Sequence, residues 1–156
     1  MNQAILLIGS NIAPLENIPA SIAQMREFCQ VFSVSPIWET QAVGSLGPNF
    51  LNAAVQIMTD LEQDAFKWQV LRTIENRLGR VRTDDKNAPR TIDIDIILWN
   101  HYVVDGGLWT HAHIALPVSA LAPELAQPAT GKTLDAIAQE LREESQAIKH
   151  TEIIQS

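Results

Sequence analysis

The sequence is poor in cysteine and in positive charge, and it has no long apolar run. Its 156 residues include one cysteine, Cys29, which excludes an intramolecular disulfide and fits a reducing compartment. The formal net charge of −7 argues against nucleic acid or an anionic membrane as the main partner. The apolar run at residues 4–8 is too short for a membrane span or a signal peptide, and no basic segment precedes it. We therefore expect a cytoplasmic protein.

Internal repeats, low-complexity tracts and linker-like stretches are also missing from the sequence. A chain of this length without such a boundary is expected to form one domain, residues 1–156, and we expect it to act as a monomer. Hydrophobic residues make up 46% of the composition, which is enough to build a substantial core. Fold and function must then be sought in the residues that are present.

The most informative segment is 79–98, in which a cationic stretch leads into a predicted strand with two aspartates. Cations are concentrated in this stretch and the helix before it: Arg72, Arg77, Arg80, Arg82, Lys86 and Arg90 are six of the 11 Lys and Arg residues. Asp93 and Asp95 are expected on one face of the strand at residues 92–99, because side chains alternate between faces. Two neighbouring carboxylates repel each other unless a cation lies between them.

This combination of acidic and basic residues suits a particular ligand. Mg²⁺ binds one or two carboxylates and completes its coordination with water and substrate phosphates. Arginines can hold the rest of a polyphosphate through paired hydrogen bonds. In an acidic protein, cations gathered beside paired carboxylates indicate a local anion site. A magnesium–nucleotide site is predicted, and the alternative is that the two aspartates only line the solvent face of an antiparallel sheet.

Hydrophobic periodicity gives the order of the elements. Strands are predicted at residues 4–8, 31–38, 51–58 and 92–99, with a short one at 102–104. Helices are predicted from Pro14 to about residue 25, at 63–78 with Gly79 as C-cap, and at 133–146, with a helical turn at 117–121. The core order of strand, helix, strand, strand, helix, strand predicts an α+β fold of the ferredoxin-like split βαβ type. In it, an antiparallel sheet has its helices packed on one face.

The motifs together resemble the 6-hydroxymethyl-7,8-dihydropterin pyrophosphokinase family of folate-pathway enzymes. The resemblance is carried by residues 8–11, 50–55, 79–82, 89–95 and 122–125, and it extends from about Ile5 to Leu125. It implies the ferredoxin-like fold. It also implies transfer of a pyrophosphoryl group from ATP to the hydroxymethyl group of the pterin, with release of AMP.

The resemblance also implies roles for individual residues. Two Mg²⁺ ions that bridge the ATP phosphates would be held by Asp93 and Asp95. The catalytic set would be Arg80, Arg82, Arg90, Asp93 and Asp95. ATP would contact Arg72, Glu75, Arg82, Lys86, Arg90, Ile96 and His111. The pterin would contact Thr40, Gln41, Ala42, Val43, Phe50, Asn52, Asp93 and His113. An amide such as that of Asn52 offers a donor and an acceptor together, and a ring such as that of Phe50 can stack on the pterin.

Two departures from the family pattern leave alternatives open. Lys86 stands where the family has an arginine, which keeps the charge but loses the two-point hydrogen bonding. The segment after Val104 is short, so that His113 falls where a second stacking aromatic is usual and His111 falls near a histidine or the last arginine. These two histidines could instead be a metal pair or surface residues of a trimmed loop. The alternative function is a catalytically weak or inactive paralogue that binds nucleotide or pterin as a regulatory module.

Overall fold

A computed structural model describes residues 1–40, 49–80 and 91–150. The strands are β1 Asn2–Ser10, β2 Gln30–Val34, β3 Trp38–Thr40, β4 Phe50–Thr59, β5 Asp93–Trp99, β6 Tyr102–Val103 and β7 Ile148–Lys149. The helices are α1 Pro14–Phe28, α2 Gln63–Phe66, α3 Arg72–Arg77, α4 Ala112–Leu121 and α5 Leu134–Ser145. A π-helical turn, Lys67–Leu71, joins α2 to α3, and a 3-10 turn at Gly106–Trp109 precedes α4. Within these ranges, none of the helices has both the length and the apolarity needed to span a bilayer.

The strands form one sheet in the order β6-β5-β1-β4-β3-β7, with β2 paired to β4 beside β3. β4 is antiparallel to both β1 and β2, so β1 and β2 run parallel with β4 between them. β5 pairs antiparallel with the other edge of β1. This is the split βαβ arrangement, and it confirms the predicted ferredoxin-like α+β fold.

Helices cover both faces of the sheet, and the prediction that they lie on one face is wrong for the C-terminal half. On one face, Leu6 and Ile8 of β1 pack with residues of α1, α2 and α3. On the other face, Ile5 and Leu7 pack with residues of α4 and α5. The reason lies in β1, which is buried from Ala4 to Ser10 and therefore presents apolar side chains to both sides.

Two predicted elements have different limits in the structure. The strand expected at residues 31–38 is divided into β2 and β3, because Pro36 between them has no N–H to donate to a neighbouring strand. The helical turn expected at 117–121 is part of the ten-residue helix α4. Residues 114–118 of that helix are all buried, so its sequence shows no polar face and periodicity could not reveal its length.

The other helix predictions are confirmed near their expected ends. Helical structure runs from Gln63 to Arg77, and Gly79 follows it with a φ of 82°, a conformation that glycine adopts without strain. Helix α5 begins after Thr133, whose hydroxyl accepts a hydrogen bond from the N–H of Ala136 at 3.3 Å. Leu134, Ile137 and Ala138 face the core from this helix.

Candidate active site

Three strands place an amide, a glycine and a carboxylate in one row across the sheet. Asn52 of β4 is opposite Gly9 of β1, and Gly9 is opposite Asp93 of β5. Because neighbouring strands are about 4.8 Å apart, the backbones of Asn52 and Asp93 are separated by about 10 Å. Register partners project from the same face, so the amide and the carboxylate point to the same side of the sheet.

The two aspartates of β5 share that face, as the alternation predicted. The side chains of Ile94 and Ile96 point into the core on the opposite face, where they are 1% and 8% exposed. Asp93 is partly buried and Asp95 is exposed. The side chain of Ile96 is thus directed away from the carboxylates, and any contact of this residue with ATP would have to come from its backbone.

The electrostatic environment of Asp95 reflects the crowding of carboxylates. Although this side chain reaches solvent, its pKa is raised to about 6, first by desolvation and then by the charge of Asp93. Glu75 and Asp105 raise the pKa further, and Arg72 opposes them. A site that resists the second negative charge is one that gains from a bound cation.

A buried carboxylate links helix α3 to Arg80 and to strand β5. Glu75 of α3 is 1% exposed and accepts hydrogen bonds from Arg72 Nη1 at 2.8 Å and from Arg80 Nη1 at 3.3 Å. It also accepts one from the backbone N–H of Ile94 at 2.8 Å. Arg80 in turn donates to the carboxylate of Asp93. Arg80 is therefore held between a buried anion and one of the two predicted metal ligands.

Arg72 extends this network toward the surface. Besides its ion pair with Glu75, its guanidinium lies 5.7 Å from the ring centre of Trp68, an exposed residue of the π-helical turn. Arg77, by contrast, contacts α1, where its guanidinium lies 5.3 Å from the ring centre of Phe28 and 4.0 Å from a carboxylate oxygen of Glu27. Of the cations that the sequence gathers in this region, Arg72 and Arg80 are thus placed beside the aspartates within the described residues.

The predicted pterin contacts lie at the other end of the row. Asn52 Nδ2 donates to Thr40 Oγ1 at 3.4 Å. A Cβ atom added to Gly9 would lie 2.8 Å from Asn52 Oδ1 and 3.9 Å from the ring of Phe50. The amide oxygen of Asn52 therefore approaches the backbone of Gly9 more closely than a larger residue would allow, whereas the Phe50 ring lies at ordinary van der Waals distance. Thr40, Phe50 and Asn52 are brought together as a group.

His111 and His113 stand at the start of α4. Their ring centres are 5.5 Å apart, and Nδ1 of His111 is 3.0 Å from the hydroxyl oxygen of Thr110. Burial lowers the pKa of His113, and His111 lowers it further, while Asp105 and Asp93 act in the opposite direction. His113 is therefore a neutral ring at neutral pH, a state that fits stacking better than binding of phosphate.

The metal-pair alternative for the histidines gains no support. Within residues 1–40, 49–80 and 91–150, no group of three or more His, Cys, Asp or Glu side chains is arranged to hold a metal ion. Asp93 and Asp95 alone fit Mg²⁺ shared with a nucleotide, because that ion takes its remaining ligands from water and phosphates. The predicted contacts Gln41, Ala42, Val43, Arg82, Lys86 and Arg90 lie outside the described residues.

Sequence reasoning missed three features of this site. Gly9 lies just beyond the strand predicted at residues 4–8 and was given no role, although its lack of a side chain leaves room for the Asn52 amide. Glu75 was expected to contact the nucleotide, whereas it accepts a hydrogen bond from the backbone of Ile94, in a strand separated from α3 in the sequence. The tertiary structure also brings Asp105 close enough for its charge to raise the pKa values of Asp95 and His113. The sequence signal for this third feature was the Asp105-Gly106-Gly107 run, which is typical of a turn.

Comparison with known sequences gives one consistent family. The family profile described as 7,8-dihydro-6-hydroxymethylpterin-pyrophosphokinase matches residues 5–123. A Synechocystis protein named 2-amino-4-hydroxy-6-hydroxymethyldihydropteridine pyrophosphokinase is 28% identical, over 84% of this chain and 72% of its own length. A Bacillus subtilis protein of the same name is 38% identical, over 64% of this chain and 60% of its length. The folic acid synthesis protein FOL1 of Dictyostelium discoideum is 32% identical, and this chain spans 20% of it.

Solved structures give the same fold. A crystal structure described as HPPK-DHPS in complex with substrates has a TM-score of 0.71 at 12% identity, covering 92% of this chain and 43% of that one. Wild-type HPPK-DHPS of Plasmodium falciparum has a TM-score of 0.71 at 11% identity, covering 91% of this chain and 41% of that one. This chain therefore spans less than half of those longer proteins. At such identities the likeness supports the fold.

Proposed function

Because the chain belongs to the 7,8-dihydro-6-hydroxymethylpterin-pyrophosphokinase family, we propose that it transfers a pyrophosphoryl group from ATP to 6-hydroxymethyl-7,8-dihydropterin. The products are AMP and the pterin pyrophosphate, an intermediate of folate biosynthesis. The observation that carries the proposal is the row Asn52–Gly9–Asp93. It sets a group that can bind a heterocycle edge about 10 Å from a group that can bind a phosphate-bound cation.

At the phosphate end, Asp93 and Asp95 would hold two Mg²⁺ ions. Bound Mg²⁺ neutralises phosphate charge and aligns the attacking and leaving oxygens. The raised pKa of Asp95 supports this assignment, because a cation would relieve the repulsion between the two carboxylates. Arg80 already donates to Asp93, so its guanidinium lies where it could also donate to a phosphate. Arg82, Lys86 and Arg90 would supply further positive charge.

At the pterin end, Asn52 would pair with the polar edge of the ring, and Phe50 and His113 would stack on it. Thr40 accepts one Asn52 N–H, and within the described residues the amide oxygen and the second N–H would be left to pair with the ligand. Gln41, Ala42 and Val43 would contribute backbone contacts. Holding both substrates on one sheet face supplies much of the rate enhancement, because pyrophosphoryl transfer depends on alignment.

The assembly and location of the enzyme are also proposed. We take residues 1–156 as one domain that acts as a monomer in the cytoplasm. The single cysteine, Cys29, fits this location, because a chain with one cysteine cannot form an intramolecular disulfide.

A coupled assay of AMP release tests the reaction. Wild type should release AMP only with ATP, Mg²⁺ and the pterin together. Asn52→Ala should weaken pterin binding by about 1–3 kcal/mol while leaving Mg²⁺–ATP binding nearly unchanged, because a buried ligand edge loses its partner. Calorimetric titration with each ligand measures the two affinities. The control is Asn76→Ala, which removes an exposed amide on α3. Nucleotide binding without any AMP release would favour the regulatory paralogue.

A further inference from the structure

The C-terminal segment of the described chain, residues 142–150, contacts β3 through both backbone and side chains. β7 extends the sheet beyond β3, pairing Lys149 with Trp38 and Ile148 with Glu39. The N–H of His150 donates to the carbonyl of Ile37 at 2.8 Å. Residues distant in sequence therefore form the outer neighbour of a strand that has only three residues.

Two side chains of this segment contact consecutive residues of β3. The guanidinium of Arg142 lies 4.9 Å from the ring centre of Trp38. Nε2 of His150 is 2.9 Å from Glu39 Oε1, and the second carboxylate oxygen of Glu39 accepts a hydrogen bond from Asn49 Nδ2 at 3.0 Å. Trp38 and Glu39 point to opposite faces of the sheet, so β3 is held from both sides.

The third residue of β3 is the one that contacts the site. Thr40 Oγ1 accepts the hydrogen bond of Asn52 Nδ2, and Trp38 is the register partner of Asn52. A shift of β3 along β4 would move the threonine hydroxyl away from the amide. The orientation of Asn52 therefore depends on how firmly β3 is held.

We propose that Arg142 and His150 are positioning residues for the pterin, which fix β3 so that Thr40 orients the Asn52 amide. The inference rests on the proposed function, since it takes Asn52 as the group that binds the pterin edge. Neither residue touches substrate in this proposal, and the phosphate end of the site does not depend on them.

Strand length and burial favour this positioning role over that of a surface ion pair with no effect on the site. A three-residue strand has few pairing positions with which to fix its own register. Here the register is further defined by the side chains of Arg142 in α5 and His150 after β7. Hydrogen bonds from Asn49 and then from His150 lower the pKa of Glu39, so the carboxylate is ionised at neutral pH and remains an acceptor. Glu39 and His150 are also only about a quarter exposed, at 27% and 24%, which limits competition from water.

The test compares His150→Ala, His150→Gln and Arg142→Ala in the full chain. We expect His150→Ala and Arg142→Ala to raise the Kd and KM for the pterin about two- to fivefold, as loss of a partly exposed charged contact implies. The KM for Mg²⁺–ATP and kcat should stay within about twofold. His150→Gln should recover part of the affinity, because its amide can still donate to Glu39. Hydrogen exchange at Trp38, Glu39 and Thr40 should be faster in the alanine variants.

Lys132→Ala is the control, since it removes a more exposed ion pair, Lys132 Nζ to Glu140 Oε1 at 3.1 Å. It should change neither pterin binding nor exchange at β3. Unchanged pterin affinity in both alanine variants, with wild type binding normally, would overturn the inference alone. Equal losses of affinity for pterin and for ATP would mean that the two residues only stabilise the fold. That result would also overturn the inference. Absence of pterin binding in wild type itself would instead overturn the proposed function.

Discussion

The carboxylate of Glu75 accepts a hydrogen bond from the backbone N–H of Ile94 at 2.8 Å. This contact joins helix α3 to strand β5 at the residue between the two aspartates. The same carboxylate is paired with Arg72 and Arg80. One buried side chain thus helps to fix the position of Arg80 relative to Asp93. The geometry of the phosphate end depends on a residue that is itself almost inaccessible.

Glu75→Gln should therefore destabilise the protein. Glutamine keeps the size and can still accept from Ile94, but it leaves two arginines without their buried counter-charge, so we expect a loss of about 1–3 kcal/mol in the free energy of unfolding. Urea denaturation measures it. Glu62→Gln, at an exposed position before α2, is the control and should stay within about 0.5 kcal/mol of wild type. A Glu75 variant that matches this control would show that the buried network contributes little.

Asp95→Asn should stabilise the metal-free protein at neutral pH and abolish turnover. Because the folded-state pKa is raised to about 6, ionisation of Asp95 costs folding free energy. That cost is absent below the unfolded pKa of about 3.9 and fully present above about pH 6. The melting temperature of Asp95→Asn should exceed that of wild type at about pH 7.5 without Mg²⁺, and the two should converge near pH 4. A gap that widens on acidification would mean that the sign is wrong.

Asp93→Asn is the informative comparison for that experiment. It should also lose turnover, but it removes the partner of Arg80 and should lower the melting temperature. The sequence alone suggested that removal of either aspartate would relieve repulsion, and the ion pair with Arg80 distinguishes the two. If both variants gain stability equally, Arg80 contributes nothing to Asp93 in the free protein.

Gly9→Ala should weaken pterin binding while sparing Mg²⁺–ATP. The new Cβ would lie 2.8 Å from Asn52 Oδ1, so the amide must move. We expect about a tenfold rise in the Kd for pterin, equivalent to about 1.4 kcal/mol. Calorimetry gives both affinities. Gly106→Ala is the control, since its added Cβ meets nothing within 4 Å. Normal pterin binding by Gly9→Ala would show that the orientation of Asn52 is unimportant.

His113→Phe should retain pterin affinity, and His113→Ala should lose about two- to tenfold, the range expected for one aromatic contact. Burial, and then His111, lowers the pKa of His113, so the wild-type ring is already neutral and phenylalanine preserves its character. Fluorescence titration at neutral pH measures both variants. His101→Ala, an exposed histidine after β5, controls for general effects of removing an imidazole. Equal losses in the Phe and Ala variants would point to a hydrogen-bonding role for His113.

The sequence by itself determined the order of the elements, the shared face of Asp93 and Asp95, and the family. These properties are local, because strand alternation, helix periodicity and a run of adjacent residues can be recognised without knowing which segments meet. The predicted ends of helices and strands were least accurate where the local sequence pattern was uninformative. Helix α4 is mostly apolar and buried from Ile114 to Val118, and Pro36 could equally mark an edge or a break.

Tertiary structure decided which distant residues act together. It placed α4 and α5 on the second face of the sheet, aligned Asn52, Gly9 and Asp93 across three strands, and brought Glu75 to Ile94 and His150 to Glu39. Each of these contacts joins separate elements, so it depends on strand register and helix packing that one segment does not encode. The chemistry of the site could be predicted from its residue types, whereas its supporting contacts emerged only when the sheet was assembled.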